Sequence, residues 1–145
     1  MASKNEEEIQ KVGVELRYLE QTADVLQTRL NMLNAVTTDL TYATLALDGL
    51  EKKEQDSELL VPIGGTSYIR AKLDNPDKII VGIGAGVSVE KTRQEAKDIV
   101  KKRLEDLDKA KTATQQQFTQ IAQRINVDRE RFETLAEMLK GEKTP

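Results

Sequence analysis

The sequence predicts a mainly helical chain with a small β content: two long helices folded back on each other as an antiparallel coiled coil, with two β-hairpins inserted between them. Three observations predict it. Leucine, isoleucine and valine recur at alternating steps of three and four in the first and last thirds of the 145 residues. The middle alternates by twos and is rich in Gly, Ile and Val. Aromatics make up only 3% and charged residues 32%, so the chain is apolar in thin stripes rather than in the bulk that a single thick core needs.

The first stripe runs through Ile9, Val12, Leu16, Leu19, Ala23, Leu26, Leu30, Leu33, Thr37, Leu40, Thr44 and Leu47, the a and d positions of a heptad seam. Ser3 and Glu6 have capping-box spacing, Glu6 to Glu8 suit the positive end of the helix dipole, and Lys52 and Lys53 suit the negative end. A helix over about residues 4–54 follows. At ~1.5 Å per residue it would be roughly 75 Å long, too long to bury its stripe inside a small globule. A partner helix is required.

The last third supplies one, through Val100, Leu104, Leu107, Lys111, Thr114, Phe118, Ile121, Ile125, Asp128, Phe132, Leu135 and Leu139. Thr92 with Glu95 makes its capping box, and Gly141 is placed to act as its C′ residue, giving a helix over about 93–140. Antiparallel seams stack a on d, so paired residue numbers have a constant sum, and sums of 144 and 151 both qualify. The first sets Leu16 against Asp128 and Leu33 against Lys111. The second sets Ala23 against Asp128 and Thr37 against Thr114, which desolvates charge against leucine less, and is the register expected on that ground.

Between the helices, residues 59–91 read as four strands. Leu59–Ile63 is followed by the turn residues Gly64 and Gly65; Ser67–Leu73 alternates Ile69, Ala71 and Leu73 against Tyr68, Arg70 and Lys72. Asp74, Asn75 and Pro76 break the chain before Lys78–Ile83, apolar on both faces, and Val87–Glu90 follows Gly84, Ala85 and Gly86. Two hairpins leave edges unpaired and an apolar face uncovered, so Leu60, Val61, Ile63, Ile69, Ala71, Leu73, Ile79, Val81, Ile83, Val87 and Val89 are the expected oligomerisation surface. The chain is then one domain and one subunit of a larger assembly.

Composition narrows the chemistry. There is no cysteine or histidine, which removes disulfides, thiolate metal sites and the commonest general base; neither enzyme activity, a metal nor a cofactor is expected. A net charge of −3 with mixed signs gives no basic footprint for nucleic acid. No stretch reaches a membrane span or a signal h-region, so a cytoplasmic protein is expected. Gly82, Gly84 and Gly86 before Lys91 and Thr92 resemble a phosphate loop only superficially. A P-loop ending at Lys91 and Thr92 needs glycine at 85 and 90, where the chain has Ala85 and Glu90. The acidic runs Glu6 to Glu8 and Glu51, Glu54, Asp56 and Glu58 read as solvated helix ends.

Apolar residues outside the seams are more informative. Tyr18, Val25 and Met32 repeat every seven, with Val36 on the adjoining face, a stripe wider than one partner helix covers. Contact with neighbouring helices and a sticky surface for another protein both fit it. Where both termini meet, Ile9, Val12, Val14, Phe132, Leu135, Met138 and Leu139 gather at helix ends, whose last turns lack backbone partners and fray readily.

Two helices with a double hairpin insert, and specifically Leu60, Val61, Pro62 and Ile63 leading into Tyr68 to Leu73, then Val81 to Gly86 leading into Val89, Glu90, Lys91 and Thr92, resemble the α-class subunits of the prefoldin family. Short tails and absent cysteine are similar to archaeal members. The resemblance implies a hexamer of two α and four β subunits whose hairpins join a β-barrel platform carrying coiled-coil tentacles. It implies an ATP-independent chaperone that captures non-native proteins and passes them to a group II chaperonin. On that reading the residues gathered at the termini would hold client protein, with Tyr18, Val25 and Met32 as further contacts inside the cavity. A structural coiled-coil spacer without client affinity is the alternative.

Overall fold

Two hydroxyl side chains start the helices. Ser3 Oγ accepts a hydrogen bond from the Glu6 amide at 3.2 Å, and Thr92 Oγ1 accepts one from the Glu95 amide at 3.1 Å, each satisfying a backbone donor that the first turn cannot. The computed structural model describes residues 3–143. Its elements in chain order are α1 (Lys4–Leu50), β1 (Glu58–Gly64), β2 (Ser67–Lys72), β3 (Lys78–Gly84), β4 (Val87–Thr92) and α2 (Arg93–Lys143).

Both helix C-termini differ from the expectation. α1 stops at Leu50 rather than near residue 54, because the Glu51 and Lys53 amides bond back three residues, to the Asp48 and Leu50 carbonyls, and Asp56 then takes a positive φ of 68°. Arg93 Nη1 donates a second hydrogen bond to the Leu50 carbonyl at 3.5 Å. Gly141 does not end α2. The helix continues to Lys143, and Asn5 Nδ2 donates to Glu142 Oε1 at 2.9 Å, a tie that holds the last turn against the first turn of α1.

The contacts group the chain into two units, Val36–Leu107, here the hairpin unit, and the remaining parts of α1 and α2 up to Ala35 and from Asp108, here the terminal unit. In the hairpin unit β1 pairs only with β2 and β3 only with β4, both antiparallel. The two hairpins repeat one plan twenty residues apart: Glu58 faces Lys72 as Lys78 faces Thr92, and the register slips at Pro62/Gly64 as at Gly82/Gly84. Gly64 and Gly84 make those slips with φ of 102° and 115°, a region closed to most side chains. Asn75 Oδ1 accepts from the Asp77 amide at 2.9 Å, so the break between hairpins is an Asx turn.

The core of this unit forms where the second hairpin meets the helices. Leu47, Val81, Ala96 and Val100 are buried together, with Leu40, Ala43, Ile79, Ile99 and Leu104 around them. Arg103 Nη2 donates to the Gly82 carbonyl at 2.5 Å, fastening β3 to α2, and Lys97 bonds Asp48 at 2.8 Å. The hydrogen bond and charge of Asp48 hold the Lys97 ammonium above its ordinary pKa. Val81, counted above among oligomerisation residues, is therefore packed inside its own subunit. The first hairpin has no buried residue; Leu59 and Ala71 are half-buried and the rest of its strands are exposed. Replacing Leu47 by Ala removes a fully engaged core side chain and is expected to cost about 2–3 kcal/mol, read as a lower urea midpoint.

The terminal unit settles the register, and against the expectation. Glu15 pairs with Arg124 and Glu8 with Arg131, residue numbers summing to 139; Glu20 pairs with Arg129, summing to 149. These flanking pairs lie symmetrically about 144, not 151. A Cβ on Gly13 would lie 3.5 Å from Phe132 Cε2, again at that offset. The sum of 144 places Leu19 opposite Ile125 and Ile9 opposite Leu135, and it sets Leu16 in the layer of Asp128. The desolvation that favoured 151 is thus present in the fold: Asp128 is 7% exposed and its Oδ2 has no hydrogen-bond partner. Within the hairpin unit, taken by itself, Asp48 with Lys97 and Leu50 with Arg93 show the same offset.

Candidate functional site

Heptad packing leaves the b, c and f positions of a helix in water, and in the terminal unit several of those positions are apolar. Val14, Tyr18, Val25 and Met32 on α1 are each 61% exposed or more. Val14 and Tyr18 with the stems of Glu7, Gln10, Lys11 and Glu15 form one shallow groove; Val25 and Met32 with Asp24, Thr28 and Arg29 form a second. A third, between the helices, is lined by Ile9, Gln10, Gly13, Val14, Arg17 and Phe132. Gly13 has no side chain to hold Phe132 off α1, and the ring lies across the helix there.

The residues expected to gather at the helix ends divide into two groups. Val14, Phe132 and Met138 are exposed. Val12 and Leu135 are buried in the seam, at 4% and 6%, and Ile9 and Leu139 are half-buried beside them. Val12 and Leu135 meet another molecule only when the helices part, whereas Ile9, which also lines the third groove, and Leu139 are partly accessible before then. Three interhelical ion pairs, Glu8–Arg131, Glu15–Arg124 and Glu20–Arg129, border this seam. Sequence reasoning missed them, although Glu8 and Glu15, like Arg124 and Arg131, stand seven apart at flanking heptad positions and carry opposite charge.

In the hairpin unit the exposed face of each hairpin is apolar at its centre. Leu60 is 65% exposed in β1 and Ile80 78% in β3, and Val61, Ile63, Tyr68, Ile69, Ile83 and Val87 are also exposed. Leu73, Ile79 and Val89 are half-buried. Tyr42 and Leu45 on α1 add exposed apolar area that the heptad reading passed over. Two-stranded sheets with open edges and bare apolar faces are stable only when something covers them.

Gly84 and Gly86 turn the second hairpin with positive φ, Glu90 pairs with Lys78, Lys91 pairs with Glu95, and Thr92 caps α2, so the glycine series serves the hairpin and the helix start. Among the described residues no group of three or more acidic residues is placed to hold a metal ion, and no helix is long and apolar enough to cross a membrane.

Comparison with known proteins matches residues 19–137 to the model of the family described as Prefoldin subunit. The chain belongs to the prefoldin family. Among its prefoldin relatives, the α subunit of Methanococcoides burtonii is 33% identical over 86% of this chain and 91% of that protein. The α subunit of Pyrococcus horikoshii is 31% identical over 85% and 84%, and prefoldin subunit 5 of Arabidopsis thaliana 33% identical over 71% and 72%. A filamentous prefoldin from Methanocaldococcus jannaschii, solved by cryo-EM, superposes with a TM-score of 0.66 at 21% identity, over 77% of this chain and 92% of that one. The resemblance read from the hairpin segments is therefore correct at the level of family and fold, and the chain is a chaperone-family subunit with the double hairpin expected of it.

Proposed function

We propose that this chain is the α-class subunit of an ATP-independent holdase. Its hairpins join those of β-class subunits in an assembly of two α and four β chains with a β-barrel platform. The helical arms hold non-native proteins and pass them to a group II chaperonin in the cytoplasm. The observation that carries the reading is that apolar side chains stay in water in both units: Leu60 and Ile80 on the hairpins, and Val14, Tyr18, Val25 and Met32 along α1. Patches of this kind mark binding surfaces rather than cores.

The mechanism is physical. A client's exposed apolar groups displace water from Val14, Phe132 and Met138, from Ile9, Val12, Leu135 and Leu139 once the seam parts, and from Tyr18, Val25 and Met32 as further contacts. Partial burial of one such side chain contributes on the order of 1 kcal/mol, so one contact is weak. Several arms acting on one client multiply these contacts, and holding is firm while each arm still lets go. Methionine suits varied clients because its unbranched, polarizable chain adapts to their shape. No bond is made or broken, which is why the absence of histidine and cysteine is no handicap.

The closed state of Val12 and Leu135 favours one second reading, a structural spacer that assembles but holds nothing. Mixing the chain with a β-class subunit, then measuring the mass of the complex and the light scattering of a denatured client, separates the two. The holdase reading expects a hexamer mass and suppressed scattering. A complex of that mass with no effect on scattering leaves the spacer.

A further inference from the structure

Buried carboxylates are rare in coiled-coil seams because water must be stripped from them and no backbone donor in a helix is free to replace it. Asp128 is such a group: it occupies a d position of α2, is 7% exposed, and its Oδ2 is unpartnered. Its natural partners are close at hand. Arg124 and Arg131 stand four residues before it and three after it on the same helix, the spacings at which side chains meet. Both are engaged elsewhere. Arg124 donates to Glu15 Oε1 through Nε at 3.0 Å and Nη2 at 2.7 Å, and Arg131 donates to Glu8.

The closed seam therefore commits both guanidinium groups to bonds across to α1 and leaves Oδ2 of the acid between them without a partner. When the helices part, Glu8 and Glu15 return to water, Asp128 is hydrated, and Arg124 and Arg131 are free to pair with it along α2. We propose that this exchange of partners makes Asp128 the release point of the terminal unit. It raises the energy of the closed seam and lowers that of the open one, so Val12, Leu16, Leu19, Ile125 and Leu135 become available to a client at small cost. The proposal rests on the holdase reading, since it concerns how that same surface is uncovered.

The test uses the assembled complex carrying Asp128→Leu, which places the usual d residue in the seam, and Asp128→Asn, which keeps shape and polarity without charge. Hydrogen exchange is followed by mass spectrometry in peptides covering residues 9–26 and 121–135, with residues 58–92 as the internal reference, alongside suppression of client scattering. The Leu variant is expected to slow exchange in both terminal peptides at least tenfold, leave the reference unchanged and weaken client protection several-fold, with the Asn variant between it and the parent. Unchanged or faster exchange in the Leu variant overturns the release point, and slower exchange with undiminished protection overturns its part in capture. A parent complex that protects no client defeats the holdase reading instead, and the exchange data still judge Asp128.

Discussion

Deleting residues 1–12 together with 133–145 is expected to leave the complex assembled with the same number of subunits, its mass lowered only by the deleted residues, and to reduce its protection of a denatured client more than tenfold. The deletion removes Ile9, Val12, Leu135, Met138 and Leu139 from each arm. At on the order of 1 kcal/mol for each contact, losing even two of them on one arm exceeds a tenfold change in affinity, and repetition over the arms enlarges it. The rest of the coil keeps its closure, because Glu15–Arg124, Glu20–Arg129 and Phe132 over Gly13 lie inside the new ends. The hairpins proposed to assemble, in residues 58–92, are untouched. Native mass spectrometry and client scattering together read the outcome. Undiminished protection by the shortened chain would remove Ile9, Val12, Leu135, Met138 and Leu139 from the client surface and leave Val14, Phe132, Tyr18, Val25 and Met32 to account for it.

The second large effect is expected on assembly. Leu60→Asp combined with Ile80→Asp should abolish the complex, leaving a chain with its helices intact and a mass no greater than that of its smallest soluble form. Both side chains are among the most exposed apolar groups of the hairpins, so the fold of the isolated chain loses little with them. A carboxylate buried against apolar neighbours in an interface, without a partner, costs several kcal/mol at each contact. Val81→Asp is the necessary contrast. It strikes the core shared with Leu47, Ala96 and Val100 and should lower helical content and melting temperature as well as assembly. If the double variant still assembles at the parent's mass and concentration, the exposed hairpin faces are not the interface.

Much of this architecture is legible in the residues alone because the signals are local. Ser3 with Glu6 and Thr92 with Glu95 mark helix starts through bonds that span three residues, and both form as expected. Hairpin positions follow from Gly64 with Gly65 and from Gly84 to Gly86, where the backbone needs positive φ. Local reasoning fails at the C-termini, where distant groups intervene: Arg93 caps Leu50 across 43 residues, and Asn5 holds Glu142 from 137 residues away. The candidate surfaces show the same division. That Tyr18, Val25 and Met32 face water follows from their heptad positions. That Val12 and Leu135 are closed off does not, since it depends on whether two distant helix ends pack.

The register marks the boundary between the two kinds of information. Periodicity belongs to one helix at a time, so the sequence by itself determined that two long amphipathic helices form, that they pair antiparallel, and that two hairpins stand between them. A whole-heptad shift preserves that periodicity, and penalising the packing of Asp128 and Lys111 against leucine selected the wrong alternative. The tertiary structure decided for 144, in the hairpin unit through the closure of Arg93 on Leu50 and Lys97 on Asp48, and in the terminal unit through Glu–Arg pairs on both flanks. Register is a property of two surfaces in contact: many apolar layers and ion pairs are satisfied at one offset, and Oδ2 of Asp128 is left without a partner as the cost.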